Sequence, residues 1–218
     1  MPPHLIVDVW SDVVCPFCYL GYRQFHDALA RFEHGEHVVV RHHAFELDPQ
    51  APLADGTPLN EMLAAKYSIP VAQAIAMNQR VHDSARELGM AWSLERAQPT
   101  NTFDAHRVIA LAAHQGRQDA MLERLFHAYF SEGLIVSDHD TLIRLAHDTG
   151  VSDAADMLAS DHGTDVVRRD EQVAARMGIT GVPALVFDGR VHVSGARGTD
   201  AMYRALSTAW SEHVENPA

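Results

Sequence analysis

The pattern of apolar and polar positions changes period along the chain, and each change marks an element. Leu5-Ile6-Val7 with Val9 and Trp10 is apolar and β-branched, broken only by Asp8, and predicts a short buried strand. Ser11-Asp12 follows as a turn and capping signal. Cys18, Tyr22, Phe25, Leu29 and Phe32 then recur at spacings of four, three, four and three, one face of a helix ended by Gly35. Val38-Val39-Val40 opens a second strand that runs toward Phe45, and Asp48-Pro49 breaks it.

From about Thr57 to Gly178 the period is helical throughout. Thr57-Pro58, Ser68 before Pro70, Asn101-Thr102, Ser137-Asp138 and Thr164 read as helix starts, and Gly89, Gly116, Gly150 and Gly178 as stops. Gln118 to Ser131 reads as one further helix and Val151 to Ser160 as a short one. The pattern then reverts. Pro183 to Phe187 predicts a strand, Asp188-Gly189 a tight hairpin turn, and Val191 to Val193 its partner. Thr199-Asp200 caps a last helix carrying Met202, Leu206 and Trp210. The order β-α-β, helical block, β-hairpin, helix predicts one α/β domain split by a helical insertion.

Composition narrows the function classes. The chain has 218 residues, 47% hydrophobic and 21% charged, ordinary values for a globular protein. Seventeen Lys and Arg against 29 Asp and Glu give a net charge of −12, which disfavours nucleic acid and anionic membrane surfaces as partners. No apolar run approaches a bilayer span and the N-terminus lacks the features of a secretory signal, so the expectation is a cytoplasmic protein. The 15 histidines read as imidazoles scattered over an acidic surface.

The two cysteines, Cys15 and Cys18, are too few for a disulfide framework. Cys15-Pro16-Phe17-Cys18 follows a strand and opens a helix, and Pro16 suits a first helical turn. The unpaired N–H groups and dipole of a helix start stabilise a thiolate at Cys15. Cys18 lies one turn further, on the apolar stripe, where it is less exposed and able to reach the Cys15 sulfur. That asymmetry suits an attacking and a resolving thiol. Two alternatives stand beside it. A zinc knuckle needs two more ligands, with no further cysteine to supply them. The other is an inert buried pair, and no metal is expected.

The second feature is Gly181-Val182-Pro183 before the hairpin; alone it is a loop, with Pro183 suited to an edge or to the first residue of a strand. Taken alone, His106 reads as a core histidine and Arg107 as an ion-pairing residue. Ser194, Thr199 and Asp200 read as groups near a helix start.

Together these segments resemble the thioredoxin superfamily, within it the DsbA family, and most closely its cytoplasmic FrnE-like branch. The resemblance rests on Asp8 to Pro16, Asn101 to Arg107, and Gly181-Val182-Pro183 through Val193 to Ala196. It implies a thioredoxin fold from residues 1–56 and 165–218, with an all-helical insertion at 57–164. It implies a cis bond at Val182–Pro183, packed on thiols shaped by Pro16 and Phe17, with Val182 presenting its backbone to substrate. It also implies a cleft lined by Asn101, His106 and Arg107. The expected activity is thiol–disulfide exchange on protein or small-molecule thiols and disulfides. No cofactor is expected to be bound, with glutathione or another low-molecular-weight thiol as candidate co-substrate, in a monomer or homodimer.

The related kappa-class glutathione transferases and 2-hydroxychromene-2-carboxylate isomerases carry Ser where this chain has Cys15. A glutathione-dependent isomerase or transferase is therefore the alternative, with Ser194, Thr199 and Asp200 as its candidate ligand groups. A non-catalytic client-binding protein is the third reading.

Overall fold

A computed structural model describes residues 4–215 of the chain. It contains two compact units, Met1–Leu47 with Asp170–Ala218, and Asp48–Arg169. These boundaries stand at 47/48 and 169/170, where the sequence reading draws them at 56/57 and 164/165.

The first unit is built on a four-stranded mixed sheet, β1 Leu5–Ser11, β2 Val38–Ala44, β3 Ala184–Phe187 and β4 Val191–Ser194. The strand order is β2-β1-β3-β4. β2 runs parallel to β1, β3 antiparallel to β1, and β4 antiparallel to β3. The hairpin turn forms at Asp188-Gly189, where φ is 52° and 69°, and Arg190 N–H closes it on the Phe187 carbonyl at 3.0 Å. Two consecutive positive φ values are what the Asp-Gly pair supplies.

Alternation along the strands sorts side chains onto two faces. Leu5, Val7, Val9, Leu185 and Phe187 form one apolar cluster with Phe25, Ala28, Phe32, Met202, Leu206 and Ala209. Those partners come from helix α1 Pro16–Ala30, the turn after it, and the last helix, α9 Thr199–Glu215. On the opposite face Trp10, Ala184 and Val186 pack with Ala174, Val173, Phe45, Ile179 and Val182. Val173 and Ala174 belong to α8 Thr164–Arg176, inside which the unit boundary falls.

That second face carries an ion cluster. His43 Nε2 meets Asp8 Oδ1 and His43 Nδ1 meets Asp170 Oδ1, both at 2.9 Å. Asp170 Oδ2 also accepts the Ala44 N–H at 3.0 Å, and Trp10 stacks on the imidazole at 4.6 Å. Burial opposes a charge on His43. Its hydrogen bonds to Asp170 and Asp8, reinforced by their charges, outweigh that burial and raise the imidazole from 6.5 to about 9.

The second unit is helical: α2 Leu59–Tyr67, α3 Val71–Glu87, α4 Phe103–His114, α5 Gln118–His127, α6 His139–Asp148 and α7 Ala154–Leu158. Met121, Leu122, Leu125, Phe126, Leu142 and Leu145 are buried in it. The sheet with its flanking helices is a thioredoxin fold, and the helical unit is inserted between β2 and β3.

Several element ends differ from the sequence reading. The first helix stops at Ala30 instead of running to Gly35. Arg31 N–H and Phe32 N–H bond carbonyls three residues back, which tightens and closes the helix, while Phe32 stays in the apolar cluster. α5 stops at His127, and Ala128–Glu132 forms a π turn closed by Gly133 at φ 70°. Thr164 and Thr199 are first helical residues instead of caps. Asp138 caps as expected, its carboxylate accepting the Thr141 N–H at 2.8 Å. Among the described residues no helix is long and apolar enough to cross a membrane.

Candidate active site

The site assembles where β1 hands over to α1. Ser11-Asp12 does not cap the helix: Cys15 itself occupies the N-cap, with extended φ and ψ of −87° and 114° and no side-chain cap bond. Cys15 N–H donates to the Asp12 carbonyl at 3.1 Å, and the Cys15 carbonyl accepts the Cys18 N–H at 3.0 Å. Pro16 is the first helical residue, where its missing N–H costs nothing. The Cys15 sulfur therefore sits at the positive end of a 15-residue helix.

Both cysteines are free thiols, and both are buried, Cys15 at 4% exposure and Cys18 at 1%. The order matches the sequence reading, but the contrast in exposure is small. The contrast in environment is larger. Cys15 Sγ donates to the Val182 carbonyl at 3.7 Å. Cys18 Sγ accepts the Asp12 backbone N–H at 3.5 Å. Burial pushes the Cys18 thiol well up, and the neighbouring Cys15 sulfur adds to it. Cys18 is thus held in its protonated form beside a sulfur at a helix start.

The Val182–Pro183 bond is cis. The loop is tied down on its far side, where Gly195 N–H donates to the Pro183 carbonyl at 2.8 Å. Phe17, between the cysteines, is 49% exposed and forms an apolar rim.

Within the first unit the structure gathers part of the expected residue set. Cys15, Pro16, Phe17, Cys18, Val182 and Pro183 meet at one place. Ser194 ends β4, exposed, and its carbonyl accepts from Arg197 at 2.7 Å. Thr199 and Asp200 open α9 beside the middle and end of α1. The Gly198 N–H next to them bonds Gln24 at 2.9 Å, and Asp200 pairs with Arg31 at 3.4 Å. Gln24 lies nine residues past Cys15, on the order of 14 Å along a helix. Thr199 and Asp200 therefore do not belong to the thiol site.

In the helical unit, Asn101 makes a local turn, accepting the Phe103 N–H at 2.9 Å. His106 is buried on α4. Arg107 has a structural use. Its guanidinium bonds Asp104 at 2.6 Å, the His162 carbonyl at 2.9 Å and the Met157 carbonyl at 2.7 Å, and it also reaches the Ser160 carbonyl. A buried guanidinium with four such bonds holds a helix junction instead of presenting itself to a ligand.

Asp12 is the residue the sequence reading undervalued. The residue is 1% exposed, its carboxylate accepts the Leu47 N–H at 2.8 Å, and its charge raises Cys18 further. An acidic residue three positions before the first cysteine was the available signal.

Comparison with known proteins agrees with this geometry. The chain matches the family model described as DSBA-like thioredoxin domain over residues 6–207. It is 38% identical to a probable DsbA oxidoreductase from Streptomyces coelicolor, with a TM-score of 0.90 over 96% of this chain and 91% of that one. At the level of fold alone it is similar to a 2-hydroxychromene-2-carboxylate isomerase (17% identity, TM-score 0.69, 96% and 98% covered). A second likeness of the same kind is to the cytosolic disulfide reductase DsbM from Pseudomonas aeruginosa, solved with GSH (16%, 0.66, 94% and 99%). Matched over nearly its whole length and carrying two thiols at the start of α1, the chain belongs to the DSBA-like thioredoxin domain family.

Proposed function

We propose that the protein exchanges disulfides with Cys15 as attacking thiol and Cys18 as resolving thiol. The observation that carries this reading is the unequal pair. One sulfur sits at a helix N-terminus, and its neighbour a turn away is held protonated by burial. The Cys15 thiolate attacks one sulfur of a substrate disulfide. A Cys15–substrate disulfide forms, and the other substrate sulfur leaves as a thiolate. Cys18 then gives up its proton and attacks the Cys15 sulfur. The second substrate thiolate leaves, and a Cys15–Cys18 disulfide remains. Asp12, a buried carboxylate whose charge raises Cys18, is the base we assign to that proton. Val182, ahead of β3, offers its backbone to an extended substrate in strand fashion.

A low-molecular-weight thiol such as glutathione would return the pair to the dithiol, itself being oxidised to its disulfide. The fold-level likeness to DsbM, solved with GSH, supports that choice of reductant. The second reading is a glutathione-dependent isomerase, favoured by the fold-level likeness to 2-hydroxychromene-2-carboxylate isomerase. A Cys at position 15, where that class carries Ser, favours exchange instead.

The test is stopped-flow reaction of the reduced protein with a peptide disulfide. Cys15→Ser should lose the reaction, and Cys18→Ser should accumulate a mixed disulfide visible by mass spectrometry. Full exchange in Cys15→Ser would falsify the mechanism. An isomerase activity that survives in Cys18→Ser would favour the second reading.

A further inference from the structure

Gly21 stands in the interior of α1, three residues past Cys18, and is buried. Its backbone φ is not among the positive values, so no left-handed conformation requires glycine there. Glycine inside a helix costs about 1 kcal/mol relative to alanine. Something other than the helix therefore calls for the missing side chain. A β-carbon at Gly21 would stand 3.0 Å from Cγ of Pro183, 3.6 Å from its Cβ and 3.9 Å from Cα of Ala196. Carbon atoms prefer separations of about 3.5–4.0 Å, so the nearest contact is too short by roughly half an ångström.

We propose that Gly21 is a positioning residue for the exchange reaction. It leaves the space into which the Val182–Pro183 loop settles against α1, and so sets the distance from the Val182 carbonyl to the Cys15 sulfur. This inference rests on the thiol-exchange reading above.

The loop has little freedom to absorb a push elsewhere. The Pro183 carbonyl is tied to Gly195 at 2.8 Å, and β3 pairs with β1 and β4 directly after it. The remaining direction of yield is away from α1, which carries Val182 off Cys15. Two different consequences follow. A small reagent makes no use of the Val182 backbone, so withdrawing that carbonyl does not slow its reaction with Cys15. An extended substrate that must pair with the Val182 backbone loses its register with the sulfur.

The experiment is a two-by-two set, Gly21→Ala, Pro183→Ala, the double variant and the wild type. Each is measured for exchange with a peptide disulfide, for Cys15 alkylation by iodoacetamide in the Cys18→Ser background, and for thermal midpoint. Gly21→Ala should slow peptide exchange about tenfold while alkylation does not slow, the size expected for a misplacement well under 1 Å. In the Pro183→Ala background, which lacks Cγ, Gly21→Ala should change neither rate by more than about twofold. Equal losses in both rates, no change in either, or the same loss in both backgrounds would overturn the proposal.

Should Gly21→Ala alone fail to fold, the double variant is expected to match the thermal midpoint of Pro183→Ala, and a lower midpoint overturns it. A wild type without peptide exchange would instead defeat the functional reading. The alkylation and stability arms would still decide whether Gly21 and Pro183 are coupled.

Discussion

Arg107 and the thiol pair were both candidates for chemistry, and both are buried, at 5% for Arg107 and 4% and 1% for the cysteines. They differ in how their polar capacity is used. Arg107 is bonded to one carboxylate and three carbonyls of its own unit. The sulfurs' bonds to the backbone are long and weak, 3.7 Å to a carbonyl and 3.5 Å from an N–H. Breaking such contacts costs little, whereas an unpaired buried guanidinium or carbonyl costs kilocalories. A buried group whose partners are strong holds structure, and one whose partners are weak is available for reaction.

The comparison predicts a set of separable effects. The largest belongs to Cys15→Ser, which should reduce peptide exchange to background in the stopped-flow assay with little change in urea midpoint. Arg107→Ala should do the reverse. It strips a buried ion pair and several carbonyls of their donor and should cost about 3 kcal/mol or more by urea titration. The folded fraction should keep wild-type exchange. A loss of exchange in folded Arg107→Ala would break the comparison by placing that residue in the site.

A third effect concerns His43, a charged group with strong partners and hence a structural one. Its folded value is raised to about 9, above the 6.5 of an ordinary imidazole. The proton is bound more tightly in the folded state, so the stability it contributes is fully present below about 6.5. That contribution falls as pH rises from there and is lost through 9. The expected loss is on the order of 3 kcal/mol by urea titration between pH 6 and 10. His43→Gln should flatten this dependence, and an unchanged slope in the variant would remove His43 from that role. The smallest effect is Phe17→Ala. An exposed side chain should leave stability within about 0.5 kcal/mol. It should slow exchange with apolar peptide disulfides by roughly threefold, and hydrophilic ones less.

Much of this was legible in the chain. The strand ending at Ser11, the helix opening behind Cys15 and the Asp188-Gly189 turn are set by local period and turn chemistry, which act between near neighbours. The nearness of Cys15 to Cys18 follows from their spacing alone. What escaped depends on residues far apart in sequence. Thr199 and Asp200 looked like ligand groups beside a helix start. Their place along α1 is decided by how α9 packs on the sheet. Asp8, His43 and Asp170 come from three elements, and no window of sequence joins them.

By itself, then, the sequence determined the strand-to-helix junction, the thiol pair on it and the apolar faces that bury the sheet, because these rest on period, capping and spacing within a few residues. The tertiary structure alone decided that Gly21 faces Pro183, that the Val182 carbonyl reaches Cys15, and that Arg107 is consumed by its own unit. Those contacts join positions 50 to 167 residues apart in the chain. Only close packing, in which a single methyl is felt, sets distances between such positions.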